Sequence, residues 1–559
     1  MIGKRIRHIK RYRDVAKVLA RHGFGFFVEE VGLLHMLSLP KRLFTHTEEL
    51  DPMSVGERIR LVIEELGPTY IKIGQIASTR ADIIPPGILN ELEKLQENVP
   101  SFSFEEVSEI IEEELGSPLE EIFSSFDANV MAAASIGQVH RATLRSTGEL
   151  VAVKVQRPQI KGMIETDLEI LLDLAGLAEN RMKRMERLQL RDVVEEFAKS
   201  LRSELDYTIE GRNAEKIAKQ FKNDKSVHIP SIYWDYSTKK VLTMEFVEGL
   251  RLNQFEALEK KGYDHKVLAE QLVQALFQQI LIEGFFHADP HPGNLFILQG
   301  GVISFIDFGM VGRLTLDMKH NFASLIIAMM RQDTDRMIKA VLRIGIVPED
   351  VNLPSLVNDV DELREKYMDV PLSRMSLGEA ISDLFEVAFR HQIRIPSDFT
   401  MVAKCLLIME GIVEKLDPNL SIMDMAEPFG IQLLKERFRP RTIAGRLWHN
   451  VSDYGDLLVD LPKQMKDLMR NLVRGRIRIE VSVPELDSFL RKLDRITNQI
   501  SFSIVLLSFS IVMAGIIIAS ALGQQPIMFW QISVIEIGAG MAGLMLLWLF
   551  ISIFKSGKF

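Results

Sequence analysis

The sequence predicts an α+β body of two lobes, preceded by a helical extension and followed by a pair of apolar membrane spans. Three observations carry this. β-type runs interrupt helical patterning at residues 126–156, helix-type patterning dominates from 250 to about 440, and residues 502–522 run for 21 positions without a charge. At 559 residues the chain exceeds what one ordinary core holds, so several domains are expected.

Residues 1–125 read as the helical extension, with amphipathic runs at 54–66, 69–80, 87–96 and 104–115, broken by Pro85, Pro86 and Pro100. Lys4, Arg5, Arg7, Lys10, Arg11 and Arg13 open the chain; they suit an anionic membrane surface or a solvated helix, and no secretory signal accompanies them. The next segment, 126–249, begins with a β-hairpin signature around Ser146-Thr147-Gly148, continues with helical periodicity at 160–221, and offers two strand candidates at 230–249. Residues 250–440 form the helical lobe, interrupted by "HADPHPGNLFI" (287–297) and "GGVISFIDFG" (300–309). A basic juxtamembrane linker, 441–500, leads to a hairpin of spans at 501–555.

Each apolar stretch of that hairpin is long enough to cross hydrocarbon, and Glu536 is the only charge in 532–554. Arg491, Lys492 and Arg495 precede the pair and Lys555 and Lys558 follow it, which places both ends and the large body in the cytoplasm, at the inner membrane. Gly515/Ala519 and Ala539/Gly543 could seat the spans together or against a second copy, permitting a homodimer. A net charge of −9 argues against general nucleic-acid binding. The lone Cys405 excludes a disulfide framework and reads as packing on a buried helix face.

The chemistry-bearing residues come in a telling order. Lys154 ends "VAVK" on a strand candidate; Asp289 and Asn294 sit five apart; Asp307 opens "DFG". This is the order of protein-kinase-like enzymes. Phosphoryl transfer asks for a Lys against phosphate charge, hard oxygens such as those of Asn294 and Asp307 for Mg²⁺ or Mn²⁺, and a carboxylate such as Asp289 to orient or deprotonate the nucleophile. Spacing leaves the carboxylate partner of Lys154 open, from Glu165 to Glu215.

Three departures shape the expectation. Ala132, Ala133, Ala134 and Ser135 stand where a Gly-rich phosphate loop would, without the φ > 0 freedom of glycine. "HAD" replaces "HRD", removing the Arg that would read a phosphorylated activation segment. Helical periodicity resumes soon after Gly309, leaving little platform for a peptide. His287 and His291, separated by Pro290, read as bracing the catalytic loop rather than binding zinc. On the helix of "LGPTYIKIGQIASTR", Lys72, Gln75 and Thr79 share one face, and read alone this is a surface helix with a polar stripe, although Gly74 hints at close approach.

The strings "LGPTYIKIGQIASTRADIIPPGILNELEKLQENVP", "AAASIGQVHRA", "VAVKVQRP", "ELDYTIEGRNAE", "HADPHPGNLFI" and "FIDFGMVG" resemble the UbiB/AarF family of atypical kinase-like proteins, from about residue 40 to 555. The resemblance implies a protein-kinase-like fold. It implies that the Lys72–Gln75 helix folds over the cleft, with Lys72 held by Glu204 and Asp206. It selects Glu210 as the partner of Lys154, with Asn213 nearby. "LTMEFVEG" looks like the inter-lobe linker, where the Glu245 to Val247 backbone would meet adenine. Implied too are ATP and a divalent cation as cofactors, a role in ubiquinone or other prenyl-quinone biosynthesis, and membrane lipids, quinone precursors and quinone-biosynthesis proteins as partners. A small-molecule kinase, a protein kinase and a nucleotide-sensing scaffold are the alternatives.

Overall fold

A computed structural model describes residues 2–32, 53–78, 80, 83–95, 100–182, 190–348, 351–368, 375–437 and scattered positions from 504 to 540. It divides into two units, Met1–Trp448 and His449–Phe559.

The first unit opens with helix α1 (Ile2–Leu19), a π turn, and α2 (Gly25–Glu30). Helix α3 (Val55–Leu66) starts at a capping box in which Ser54 and Glu57 satisfy each other's backbone N–H groups. Gly67, at φ 95°, makes the corner into α4 (Pro68–Ala77), whose first position is proline. A short α5 (Pro86–Leu92) follows. Thr79 and residues 96–99 lie outside the described residues.

Helix α6 (Phe104–Leu115) carries a second capping box, Ser103 with Glu106, and ends at Gly116 in the left-handed region. After α7 (Leu119–Ile122), a five-stranded sheet is built from β1 (Phe123–Phe126), β2 (Ala132–Ala133), β3 (Gly137–Leu144), β4 (Leu150–Gln156) and, later in the chain, β6 (Val241–Glu245). Its path is β1-β3-β4-β6, all antiparallel, with β2 added to β3. Val107, Ile110 and Ile111 of α6 bury against Val151, Val153 and Val155 of β4, so α6, expected in the extension, packs on the sheet.

Between β4 and β6 lie α8 (Ile160–Arg181), α9 (Leu190–Glu204), α10 (Tyr207–Gln220) and β5 (Val227–His228). The first strand expected at 230–249 does not form. Trp234–Tyr236 is a 3-10 turn, and a single bridge, Ile232 to Met244, remains. Ser237 explains the difference: its hydroxyl donates to Tyr233 O at 2.8 Å and accepts from Thr243 N at 2.9 Å, tying the segment into a turn.

The second lobe contains β7 (Leu250–Arg251), α11 (Phe255–Lys260), α12 (His265–Phe277), β8 (Phe285–His287), β9 (Leu295–Ile297), β10 (Ile303–Phe305) and β11 (Val311–Arg313). These strands form two small sheets, β5-β10-β9-β7 and β11-β8, which present the loops between them to the cleft. Five helices complete it: α13 (Leu316–Met330), α14 (Thr334–Ile344), α15 (Leu353–Met368), α16 (Leu377–Arg390) and α17 (Ser397–Leu416), with α18 (Ile422–Arg437) after them. One continuous apolar core runs from Ile217 of α10 through α12 and α13 to α17 and α18. Cys405 sits in that core, fully buried.

Arg11 is not available to a membrane: its guanidinium donates to Asp167 at 2.7 and 3.1 Å and to Leu66 O at 2.8 Å. Asp167 is 1% exposed and pinned by that pair. The side chains of Lys4, Arg5 and Arg7, and the linker 441–500, lie outside the described residues.

In the second unit, the positions described from 504 to 522 are helical, with Ile504, Leu507, Ile511 and Leu522 exposed. β12 (Met528–Phe529) and β13 (Ile532–Ser533) pair in a tight antiparallel turn, which takes Ile532 and Ser533 out of the second apolar stretch. No helix among the described residues is long and apolar enough to cross a membrane; most of residues 532–554 lies outside them.

Candidate functional site

The site starts from Lys154, fixed in the sheet by antiparallel neighbours on both sides, Val139 and Leu242. Its ammonium meets both oxygens of Glu210, at 2.9 and 2.8 Å, and stands 3.9 Å from Asp307. Glu210 reaches it because Asp206 caps α10, accepting from Thr208 N at 3.1 Å, which aims the first turn of the helix at the sheet. Burial opposes the charge on Lys154, but Glu210, Asp307 and Tyr207 outweigh it and hold the ammonium protonated well above the ordinary lysine value. Burial also pushes Glu210 upward against the pull of Lys154. With both carboxylate oxygens on the ammonium, the two form an ion pair.

The loop from Asp289 to Asn294 hangs between β8 and β9. His287 accepts from Asp289 N through Nδ1 at 3.2 Å, so its Nε2 carries the proton and donates to Ile306 O at 3.1 Å. One histidine thus ties the Asp289 loop to the Asp307 loop, as expected of a bracing residue. Asn294 donates its amide to Asp289 O at 3.4 Å, which turns the other end of the amide, a hard oxygen, away from that bond.

Asp307 adopts φ 61°, the left-handed region that few non-glycine residues enter and that Asp tolerates through local hydrogen bonding. Gly309 N donates to its carboxylate at 3.3 Å. Lys154 first, then Lys72, hold that carboxyl below its usual range against burial, so it is ionised at neutral pH. Although deep in the body, the side chain is 52% exposed, onto the cleft.

Helix α4 crosses this cleft. Lys72 pairs with Glu204 at the end of α9 at 3.0 Å, and Gln75 lines the same cavity. Gly74 packs against α3 and the segment after α5: a Cβ there would stand 2.4 Å from Leu95 and 3.2 Å from Ile63. The polar stripe of α4 therefore faces the site rather than open solvent. Asp206 lines the cavity as well, but its carboxylate serves the α10 cap and lies 3.7 Å from Lys239.

A cavity of about 850 Å³ joins Lys72, Gln75, Ala134, Ser135, Lys154, Glu204 and Glu210 to Asp289, Asn294 and Asp307, a size suited to a small organic ligand. Ala132 and Ala133 do not reach it; they pair with Val139 and Gln138 in the sheet. Glu245 and Val247 do not reach it either and line a separate recess with His228 and Gln299. The Glu245 side chain is committed to His228 at 2.9 Å and Ser231 N at 3.1 Å. Among the described residues no three His, Cys, Asp or Glu side chains cluster to hold a metal by themselves.

One contributor, Tyr207, escaped the sequence reading, and Asn213 was named only through the resemblance. The Tyr207 ring lies 5.1 Å under the Lys154 ammonium, 2% exposed, while Gly137 leaves room for its hydroxyl. Asn213 donates to Phe308 O at 3.1 Å, fastening α10 to the Asp307 loop. The signal for Asn213 was its position one turn beyond Glu210; Tyr207 gave none, because its partners are distant in sequence.

Comparison with known proteins places these features. Residues 94–341 match the model of an ABC1 atypical kinase-like domain, 360–421 a UbiB helical domain, and 484–555 an ABC1/UbiB kinase-like C-terminal domain. An uncharacterized Synechocystis protein, sll1770, is 36% identical over 82% of this chain and 78% of its own length. A Clostridium pasteurianum protein encoded beside hydrogenase 1 is 32% identical over 98% of this chain and 99% of its own. A Xanthomonas campestris protein named as a probable protein kinase UbiB is 32% identical over 97% and 99%.

Proposed function

The chain belongs to the ABC1/UbiB family of kinase-like proteins, and from that premise we propose that it is a membrane-anchored ATPase of the atypical kinase type that supports prenyl-quinone biosynthesis. The observation that carries the nucleotide part is the convergence of the Lys154–Glu210 pair, Asp289, Asn294 and the ionised Asp307 on one cavity. Two hard oxygens, from Asn294 and Asp307, suit a Mg²⁺ that shares its remaining ligands with phosphates and water. That ion, when bound, supplies charge neutralisation on the phosphates.

The remaining roles belong to the chain. Lys154, held by Glu210, meets phosphate charge from the sheet side. Asp289 orients a water or a small hydroxyl and takes its proton as the new P–O bond forms and the bond to ADP breaks. Helix α4, clamped by Lys72–Glu204, keeps protein substrates out, and α13 starts at Leu316, so close behind Gly309 that no shelf for a peptide remains. The apolar stretches 502–522 and 534–554 of the sequence support the membrane part, and the quinone part rests on the family resemblance. A small-molecule kinase is the second reading, favoured by the "HADPHPGN" loop.

Phosphate release by the detergent-purified chain, with Mg²⁺ and with or without anionic liposomes and a phenolic quinone-precursor mimic, tests this. Release should rise with membrane and phenol and fall at least roughly a hundredfold in Asp307→Asn. ATP binding without release under any condition would remove the ATPase reading.

A further inference from the structure

The cavity carries a lysine that the roles above do not use. Lys404, on α17, lines it, as do Asp289, Gly309 and Met310. The other lining lysines are all paired: Lys72 with Glu204, Lys94 with Glu91, Lys154 with Glu210. Lys404 makes no ion pair among the described residues; Glu93, at the end of α5, lies near enough to feel its charge.

Its placement is not incidental. The next residue, Cys405, lays its sulfur 3.5 Å from His287 O and is close enough to Asp289 for the carboxylate to oppose its ionisation. Asp398, on the first turn of α17, accepts from Arg313 N at 3.1 Å. The helix is therefore fastened to the Asp289 loop and to the strand after Asp307, and it presents Lys404 to the cavity.

The charge balance says what is missing there. Asp289 and Asp307 bring negative charge to the end where phosphoryl transfer happens, and a terminal phosphate adds more. Lys154 is already balanced by Glu210. The catalytic loop between Asp289 and Asn294 reads Pro-His-Pro-Gly and brings no Lys or Arg. Phosphoryl transfer relies on cations placed at the transferred group, and a lysine meets phosphate as a point charge without needing a fixed plane.

We propose that Lys404, delivered by the helical region outside residues 94–341, binds the γ-phosphate of the nucleotide and completes the phosphoryl-transfer site. This rests on the nucleotide-binding reading above. It is a statement about the terminal phosphate, so ATP and ADP must respond differently. In the step itself Lys404 moves no proton; it offsets charge on the transferred oxygens.

The test is calorimetric binding of Mg²⁺ with a non-hydrolysable ATP analogue, and separately with ADP, to the detergent-purified full chain and to Lys404→Met and Lys404→Arg. Lys404→Met should weaken the triphosphate roughly tenfold or more and leave ADP within twofold, at unchanged melting temperature. Lys404→Arg should recover most of the loss. Equal weakening of both nucleotides, or no weakening, overturns the assignment while leaving the nucleotide site standing. A wild-type chain that binds neither nucleotide overturns both.

Discussion

Asp307 and His228 show what single residues do here. Asp307 sits in the left-handed backbone region, beside two lysines, and the result is a carboxylate that stays ionised in the cleft. His228 and Glu245 form a 2.9 Å pair in the recess between the lobes. The hydrogen bond that His228 donates to Glu245 raises the His228 pKa above its ordinary value, and the same bond lowers that of Glu245. The histidine contribution is therefore complete below about pH 6.5 and is lost as pH rises through its folded value; the carboxylate contribution is complete above about pH 4.3 and is lost on acidification. His228→Gln should lower the melting temperature most between those limits and least at pH 9. Thermal melts across pH check it, and a uniform decrement would refute it. The motif residues Lys154, Asp289, Asn294 and Asp307 were legible because the kinase order restricts residue type and spacing at each. Arg11 and Asp167 were not, since two charges 156 positions apart each look like ordinary surface residues.

At the scale of elements, glycine marks where backbones must touch. Gly137 opens β3 with its Cα facing Tyr207: a Cβ there would stand 2.3 Å from the hydroxyl and 2.5 Å from Val155 O. Because one of those atoms is backbone, the neighbour cannot yield cheaply. Gly137→Ala should cost about 1–3 kcal/mol of stability and disturb the Lys154 strand, measured by denaturant unfolding and by nucleotide binding; a neutral substitution would mean that Tyr207 moves freely. The helices α3, α4 and α6 were readable from capping signals and periodicity. The strand expected near 230 was not, because Ser237 and Thr243 trade hydrogen bonds that no local pattern reveals. Helix α6 was assigned to the wrong layer for a related reason: amphipathicity says that a face is buried, never against what.

At the scale of the molecule, the kinase-like body is one unit and the C-terminal apolar stretches belong to another. The proposed anchoring makes a simple prediction. The full chain should sediment with membranes and resist high salt, whereas a chain ending at residue 448, where the first unit ends, should leave the membrane fraction and still bind nucleotide. Retention of the shorter chain after a salt wash would move the anchor into the first unit.

What the sequence determined by itself is a residue set in kinase order, a covering helix by resemblance, and apolar stretches long enough for hydrocarbon. Those features are local, because a turn, a span or a metal-binding oxygen constrains residues next to one another. What only the tertiary structure decided is who shares the cavity. It brought Lys404 and Tyr207 in, set Glu245 and Val247 apart, spent Arg11 on Asp167, and laid α4 across the site. Those outcomes depend on packing between distant segments, where burial energy is summed over surfaces and no single stretch of chain carries the record.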